Sequence, residues 1–271
     1  MPWSKMKNII LVILAVTNLA LLVLVGGQAI QGSRLLSRAR EDAVQFLRNR
    51  GVEVDEDVIP QAMELLPQTV ERDLTGEEKA AAALLGGPVT AESRGGEVYR
   101  YFNDKGSVQF HSDSTFSAQL ERGAFPLGSD RAADCLELMA RMGFQGIILE
   151  EAEDELIFRQ TWRGVPLFNQ QVTLVCRGDS LTAMTSGRQL VGSPQEDAAR
   201  KNISVATALI NFYNGVSALG DVCNRIDAIE PGYVAAASLS GPITLTPVWR
   251  ITTDTGAYQL DTVTGGLSRV S

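Results

Sequence analysis

Histidine and cysteine are almost missing from this chain: His111 is the lone histidine among 271 residues, and the three cysteines stand far apart at Cys135, Cys176 and Cys223. A Cys/His zinc quartet therefore cannot be assembled at the usual spacing, and there is no CxxC pair. A secreted scaffold stapled by disulfides would show a denser, even-numbered pattern, so three free thiols are the default, with one pairing among them left open. Any Ser–His–acid or Cys–His site would have to use His111, yet no GxSxG elbow accompanies it. That histidine falls on the polar face of an expected strand, where a solvated imidazole is the ordinary outcome. Phosphate cradles of the GxxxxGK[ST] or GxGxxG kind are also missing. Basic residues are in deficit, 24 Lys and Arg against 32 Asp and Glu, for a net charge of −8. Such a surface disfavours nucleic acid, whose backbone is bound through Lys/Arg neutralisation. The composition thus points away from an enzyme, and no cofactor or metal is expected.

Apolar residues are plentiful at 45%, enough for globular folding. They are densest near the start. Ile9 to Val25 is apolar apart from Thr17 and Asn18, and no charge follows until Arg34. As a helix, residues 9–30 would run roughly 33 Å, enough for a bilayer core. The run exceeds a signal-peptide core, and Gly27-Gln28-Ala29 is a poor cleavage site, so an uncleaved transmembrane helix at 9–28 is expected. Charges flank it on both sides (Lys5 and Lys7 before, Arg34, Arg38 and Arg40 after), and the positive-inside count alone does not orient it. Thr17 and Asn18 are the candidate partner-binding residues, because an amide in lipid is best satisfied by a neighbouring helix.

Beyond the span, helical spacing of Leu35, Leu36, Ala39, Ala43, Phe46 and Leu47 predicts a helix over 33–50, ended by Gly51. A strand is expected near 63–70. Thr75 and Glu78 read as a capping box opening an alanine-rich helix that stops at Gly86-Gly87-Pro88. Strands at 98–102 and 107–111 flank the turn Asn103–Gly106, with Val108 and Phe110 on one face. After the glycine-rich boundary 123–129 come a helix over 130–142 and strands near 144–150, 155–162, 167–176 and 180–186. A second round follows Gly192-Ser193-Pro194: a helix capped by Ser204 and ending at Asn214-Gly215, then strands near 225–230, 234–239, 248–253 and 258–261. The acidic run Glu150 to Glu155 lacks EF-hand spacing and reads as a solvated turn. Asn202-Ile203-Ser204 matches a glycosylation sequon but is assigned no role, and Trp162 and Trp249 are expected in the core. The expected fold is α+β: an N-terminal transmembrane helix, then repeated units of a helix packed on an antiparallel sheet. Its parts are a cytoplasmic terminus (1–8), the span (9–28), a membrane-proximal domain (29–125) and a C-terminal domain (126–271) of two units, 126–192 and 193–271.

Three segments carry a family resemblance. Trp3-Ser4-Lys5-Met6-Lys7-Asn8-Ile9 with the span after it resembles the start of YycI proteins. Leu245-Thr246-Pro247-Val248-Trp249-Arg250-Ile251, with Gly256-Ala257-Tyr258 and Asp261 to Gly265, is similar to their end. Thr161-Trp162-Arg163-Gly164-Val165-Pro166-Leu167-Phe168 resembles a central motif of these and other PepSY-like domains. Residues 51–125 match no motif of the family. The resemblance implies a single-pass cell-membrane protein, N-terminus cytoplasmic and body extracytoplasmic, in a Gram-positive bacterium. It also implies a regulatory role: with a YycH-like protein, it would modulate a YycG (WalK) sensor histidine kinase governing cell-wall metabolism. The alternative from the same motifs is a PepSY-like inhibitor or chaperone of a secreted or surface hydrolase.

Overall fold

The computed structural model describes residues 35–237 and 241–270. Helix α1 occupies residues 35–49. Next come β1 (Glu53–Val54), β2 (Gln68–Val70), α2 (Leu74–Leu84), β3 (Thr90–Ser93), β4 (Val98–Asn103), β5 (Gly106–His111), β6 (Thr115–Leu120) and β7 (Phe125–Pro126). The chain continues through α3 (Arg131–Arg141), β8 (Gly146–Glu151), β9 (Glu155–Trp162), β10 (Val165–Arg177), β11 (Ser180–Arg188) and β12 (Gln195–Glu196). It closes with α4 (Val205–Ala218), β13 (Arg225–Ala236), β14 (Ile243–Thr253), β15 (Gly256–Asp261) and β16 (Leu267–Arg269).

Hydrogen bonds join these into a 16-stranded sheet whose main path runs β12-β2-β14-β13-β10-β11-β6-β5-β4-β3. Pairing is antiparallel except where β13 meets β1 and β10. The β10–β13 link is a single register position, Leu167 opposite Tyr233. That narrow seam divides the molecule into two lobes. The first comprises β3 to β11 with α2 and α3 over one core, which holds Phe110, Phe116, Leu138, Phe158 and Met184. The second comprises β1, β2 and β12 to β16. Ala43, Val44 and Leu47 of α1 and Leu209, Phe212 and Val216 of α4 fill its core against Trp249, Ile251 and Tyr258. Between the lobes a smaller cluster gathers Val70, Leu167, Leu190, Tyr233, Ala235 and Leu245.

Hairpins and caps form for local reasons. Val108 and Phe110 point inward at 0% and 2% exposure, as alternation requires. Asp130 and Ser204 cap α3 and α4 by accepting the amides of Ala133 and Thr207 at 2.9 and 3.1 Å. At α2 the cap is Asp73, which accepts Gly76 N–H at 2.9 Å, and Thr75 lies within the helix instead of capping it. Helix α4 runs on through Gly215 to Ala218, because a bare glycine there lets Leu267 of β16 pack close: a Cβ would sit 2.7 Å from the Leu267 Cβ. Strand β13 likewise continues through Pro231 and Gly232. Pro231 faces Trp249 of β14 on one side, while on the other it falls between the contacts of β13 with β1 and with β10 and has no ladder partner among the described residues, and such an open side tolerates proline.

Two expectations are corrected. The repeated α+β units behind a transmembrane helix give way to one large mixed sheet, mostly β, with four helices among the described residues. The reason is long-range pairing: β1 and β2 join β13 and β14, which lie far along the chain, so successive segments do not close on themselves. The single-pass placement, N-terminus cytoplasmic and body extracytoplasmic, is overturned as well. Among the described residues no helix is long and apolar enough to cross a membrane. Helix α4 has 14 residues and α2 and α3 have 11 each, where a span needs about 20. The apolar run 9–28 lies outside the described residues.

Candidate functional site

The site residues expected from sequence, Thr17 and Asn18, also lie outside the described residues. Of the other residues weighed there, His111 stands opposite Val98 in the β4–β5 hairpin, half-buried. Arg131 of α3 clasps the acidic run, reaching the carbonyls of Ala152 and Glu153 and lying 3.6 Å from the Glu151 carboxylate. Asn202 donates to the Leu65 carbonyl at 2.6 Å and accepts from Thr262 at 3.1 Å, a structural tie. Among the described residues no three His, Cys, Asp or Glu side chains are placed to hold a metal ion.

What the fold does build is a cleft of about 540 Å³ beside the seam. Four segments wall it: the first turns of α2, the loop from Arg141 to Gln145, the β9–β10 hairpin end from Gln160 to Arg163, and the connector from Leu190 to Ser193. Leu167, whose backbone makes the inter-lobe bridge, contributes to its floor.

Each wall is pinned. The buried Gln160 amide donates to the Leu190 carbonyl at 2.9 Å and accepts the Leu190 N–H at 2.8 Å, tying the connector to β9. Thr161 N–H donates to the Gln145 carbonyl at 2.7 Å. Gly192, at φ 127, lets the connector pass the Val70–Glu71 backbone; a Cβ would sit 2.7 Å from the Glu71 carbonyl oxygen. The start of α2 is anchored by Arg72, whose guanidinium grips the Glu77 carboxylate at 2.7 and 3.1 Å. Burial pushes the Glu77 carboxyl up, against the opposing pull of Arg72. Burial, with the Glu77 charge beside it, pushes the Tyr101 hydroxyl up to about 12. This pair is closed in on itself and does not line the cleft, so it supports the site rather than acting in it.

The cleft's electrostatics run against the protein's acidic character. Lys79, Arg141 and Arg163 face it from three different elements, and none has a carboxylate within ion-pair distance among the described residues. The one acid in the lining, Asp73, is engaged in capping α2. Arg141 lies over the Phe125 ring at 5.7 Å and Arg163 over Trp162 at 5.5 Å. Trp162, expected in the core, is instead half-buried on the cleft wall. The three cations are 84 positions apart at the extremes, so no spacing in the chain could have grouped them. The one local signal is Arg163-Gly164, a two-residue hairpin turn.

Fold and site together define a mostly β protein of two lobes with a cationic cleft in the first lobe, beside the seam. No family model matches the chain, and no curated protein matches it. Among solved structures it is similar to an uncharacterized protein from Eubacterium rectale ATCC 33656. The identity is 11%, the match covers 82% of this chain and 91% of that one, and the TM-score is 0.41.

Proposed function

We propose that the chain is a non-catalytic regulatory protein that modulates a sensor histidine kinase of the YycG type through contacts of its folded body, alone or with a YycH-like protein. The observation that supports this reading is where two motif segments of the family resemblance come to lie. Thr161 to Phe168 forms the β9–β10 turn and the start of β10, and Leu245 to Ile251 lies on β14. They meet on β13 at Tyr233, which pairs with Leu167 on one side and with Pro247 on the other, while Val248 and Trp249 pair with the neighbouring Gly232 and Pro231. Segments some eighty residues apart thus meet at the inter-lobe seam. A protein hinged there can bind one signalling state of a partner better than another, and only such differential affinity shifts an equilibrium.

The test is kinase autophosphorylation in the presence of saturating full-length chain, with co-purification as the binding readout. The expected result is a several-fold change in phosphorylation rate together with recovery of the complex. Recovery of neither, or of a complex with an unchanged rate, overturns the proposal. The second reading, a PepSY-like inhibitor or chaperone of a hydrolase, rests on the Thr161–Phe168 motif alone. It predicts that the chain slows or protects a hydrolase and leaves the kinase untouched.

A further inference from the structure

We infer that the cleft in the first lobe, beside the seam, is a binding site for a small polyhydroxylated anion, a sugar carrying two or more carboxylate or phosphate groups. Eight arginines of the described body, Arg48, Arg72, Arg94, Arg100, Arg131, Arg159, Arg225 and Arg269, lie within 4 Å of a carboxylate. Lys79, Arg141 and Arg163 have no such partner among the described residues, and what sets them apart is that all three line one cleft, in a chain where acids outnumber bases. Like charges gathered in a recess repel one another, and an anion seated among them removes that cost.

Arg163 is the telling residue. It occupies the first position of a two-residue turn between the paired Trp162 and Val165, with φ 51, followed by Gly164 at φ 82. Such turns need left-handed backbone at both positions and favour Asn-Gly, while a long side chain there is strained. Arg141 has a local reason for its place, since cations at a helix C-terminus are favoured by the helix dipole. Arg163 is held over the neighbouring Trp162 ring at 5.5 Å, a contact worth about 1 kcal/mol at an exposed site and comparable to the backbone strain it offsets. The same contact holds the guanidinium at the cleft wall, and guanidinium groups match carboxylate and phosphate bidentately. The remaining lining fits a sugar: Trp162 offers an aromatic wall, and Gln145, Thr161 and Ser193 offer hydrogen-bonding groups toward hydroxyls. The inference is independent of the regulatory reading and stands or falls without it.

The experiment is calorimetric titration of the full-length protein with inorganic pyrophosphate, with trigalacturonate and with neutral maltotriose. Binding of at least one anion with a dissociation constant below about 1 mM, weakened by added salt, is expected, with no heat from maltotriose. A response to pyrophosphate only assigns a phosphorylated ligand, and one to trigalacturonate only assigns a carboxylated sugar. Arg163→Ala should weaken binding about tenfold, and Lys79→Ala/Arg141→Ala/Arg163→Ala together by about 100-fold or more. The decisive variant is Arg163→Asn, which suits the turn better: it should raise the melting temperature by about 2 °C while losing about tenfold in affinity. No binding of either anion, a triple variant that binds as the parent does, or an Arg163→Asn protein that keeps full affinity overturns the inference.

Discussion

The two lobes bury charge in different ways. In the first, α2 carries Glu77 into the interior at 2% exposure, where it is met by Arg72 and roofed by aromatic rings. Tyr101, Phe110, Phe116 and Phe144 run as a chain with centroid spacings of 6.0, 5.0 and 6.2 Å. In the second lobe the buried charge is Arg40 of α1, whose guanidinium donates to the carbonyls of Glu56 and Ile59 at 2.6 and 3.1 Å. The first arrangement joins two ionisable groups, one of which titrates in a reachable range. The second joins a guanidinium to neutral backbone carbonyls, with no carboxyl group in the arrangement. The difference teaches that pH acts on the first lobe through its interior and reaches the interior of the second much less.

Arg72→Ala breaks that contrast most strongly. Removing one member of a buried pair leaves the other uncompensated, and the expected loss is about 3 kcal/mol. The sign of the pH dependence follows from Glu77. Its folded-state carboxyl is raised above the ordinary value of 4.5 by burial, so near that value the native state holds the proton more tightly than the unfolded one. Stability from this group is fully present below the unfolded value and is lost as pH rises through the folded one. Without Arg72, which pulls the carboxyl down, the shift grows. The variant should therefore gain stability relative to the parent as pH falls from 7 toward 5, in chemical denaturation followed by circular dichroism. A deficit that stays constant over that range would show that Glu77 is not the titrating group.

The seam offers the next test. Gly232 of β13 has no side chain because β10 passes over it: a Cβ would collide with the Phe168 ring and sit 2.9 Å from the Pro166 carbonyl oxygen. Gly232→Ala should cost about 2 kcal/mol as overpacking, and the cost should fall on the junction rather than on either core. Hydrogen exchange should quicken at the amides near Leu167 and Tyr233, while those near Phe116 and Phe212 keep their protection. Equal loss in both cores would mean the lobes open as one cooperative unit and that the narrow bridge is no hinge.

Local features of this molecule were readable in the chain, and distant ones were not. The β4–β5 hairpin, the strands from Glu155 to Arg188 and the cap at Ser204 depend on residues a few positions apart, and alternation and cap chemistry reveal them. The continuation of β13 through Pro231-Gly232 was hidden, because its cause lies in Phe168 and the open edge beside Pro231. So was the pairing of β2 with β14, which depends on partners more than 170 positions away. At the site, Trp162 and Arg163 sat in a motif noticed for its family likeness. Lys79 and Arg141 were ordinary helix residues until folding set them around the same recess. Charge without a partner is a property of neighbours in space, so composition could report an acidic protein but not its cationic cleft.

The smallest effect concerns the thiols, which report on each lobe separately. Cys135 and Cys176 lie in the first core at 0% exposure, whereas Cys223 in the second lobe is only half-buried. Burial, reinforced by the neighbouring Cys176, pushes the Cys135 thiol up to about 12, and burial also raises Cys176. Burial with the Asp254 charge nearby pushes Cys223 up to about 11. Because the thiolate is the reactive form, all three should label slowly at pH 8, with Cys223 first. Cys135 and Cys176 should react only when the first lobe opens. Arg72→Ala should then speed labelling of Cys135 and Cys176 and leave Cys223 at its parental rate, as followed by peptide mass spectrometry. If Cys223 accelerates in step with the other two, the opening that exposes them is global, and the lobes cannot be treated as separate bodies.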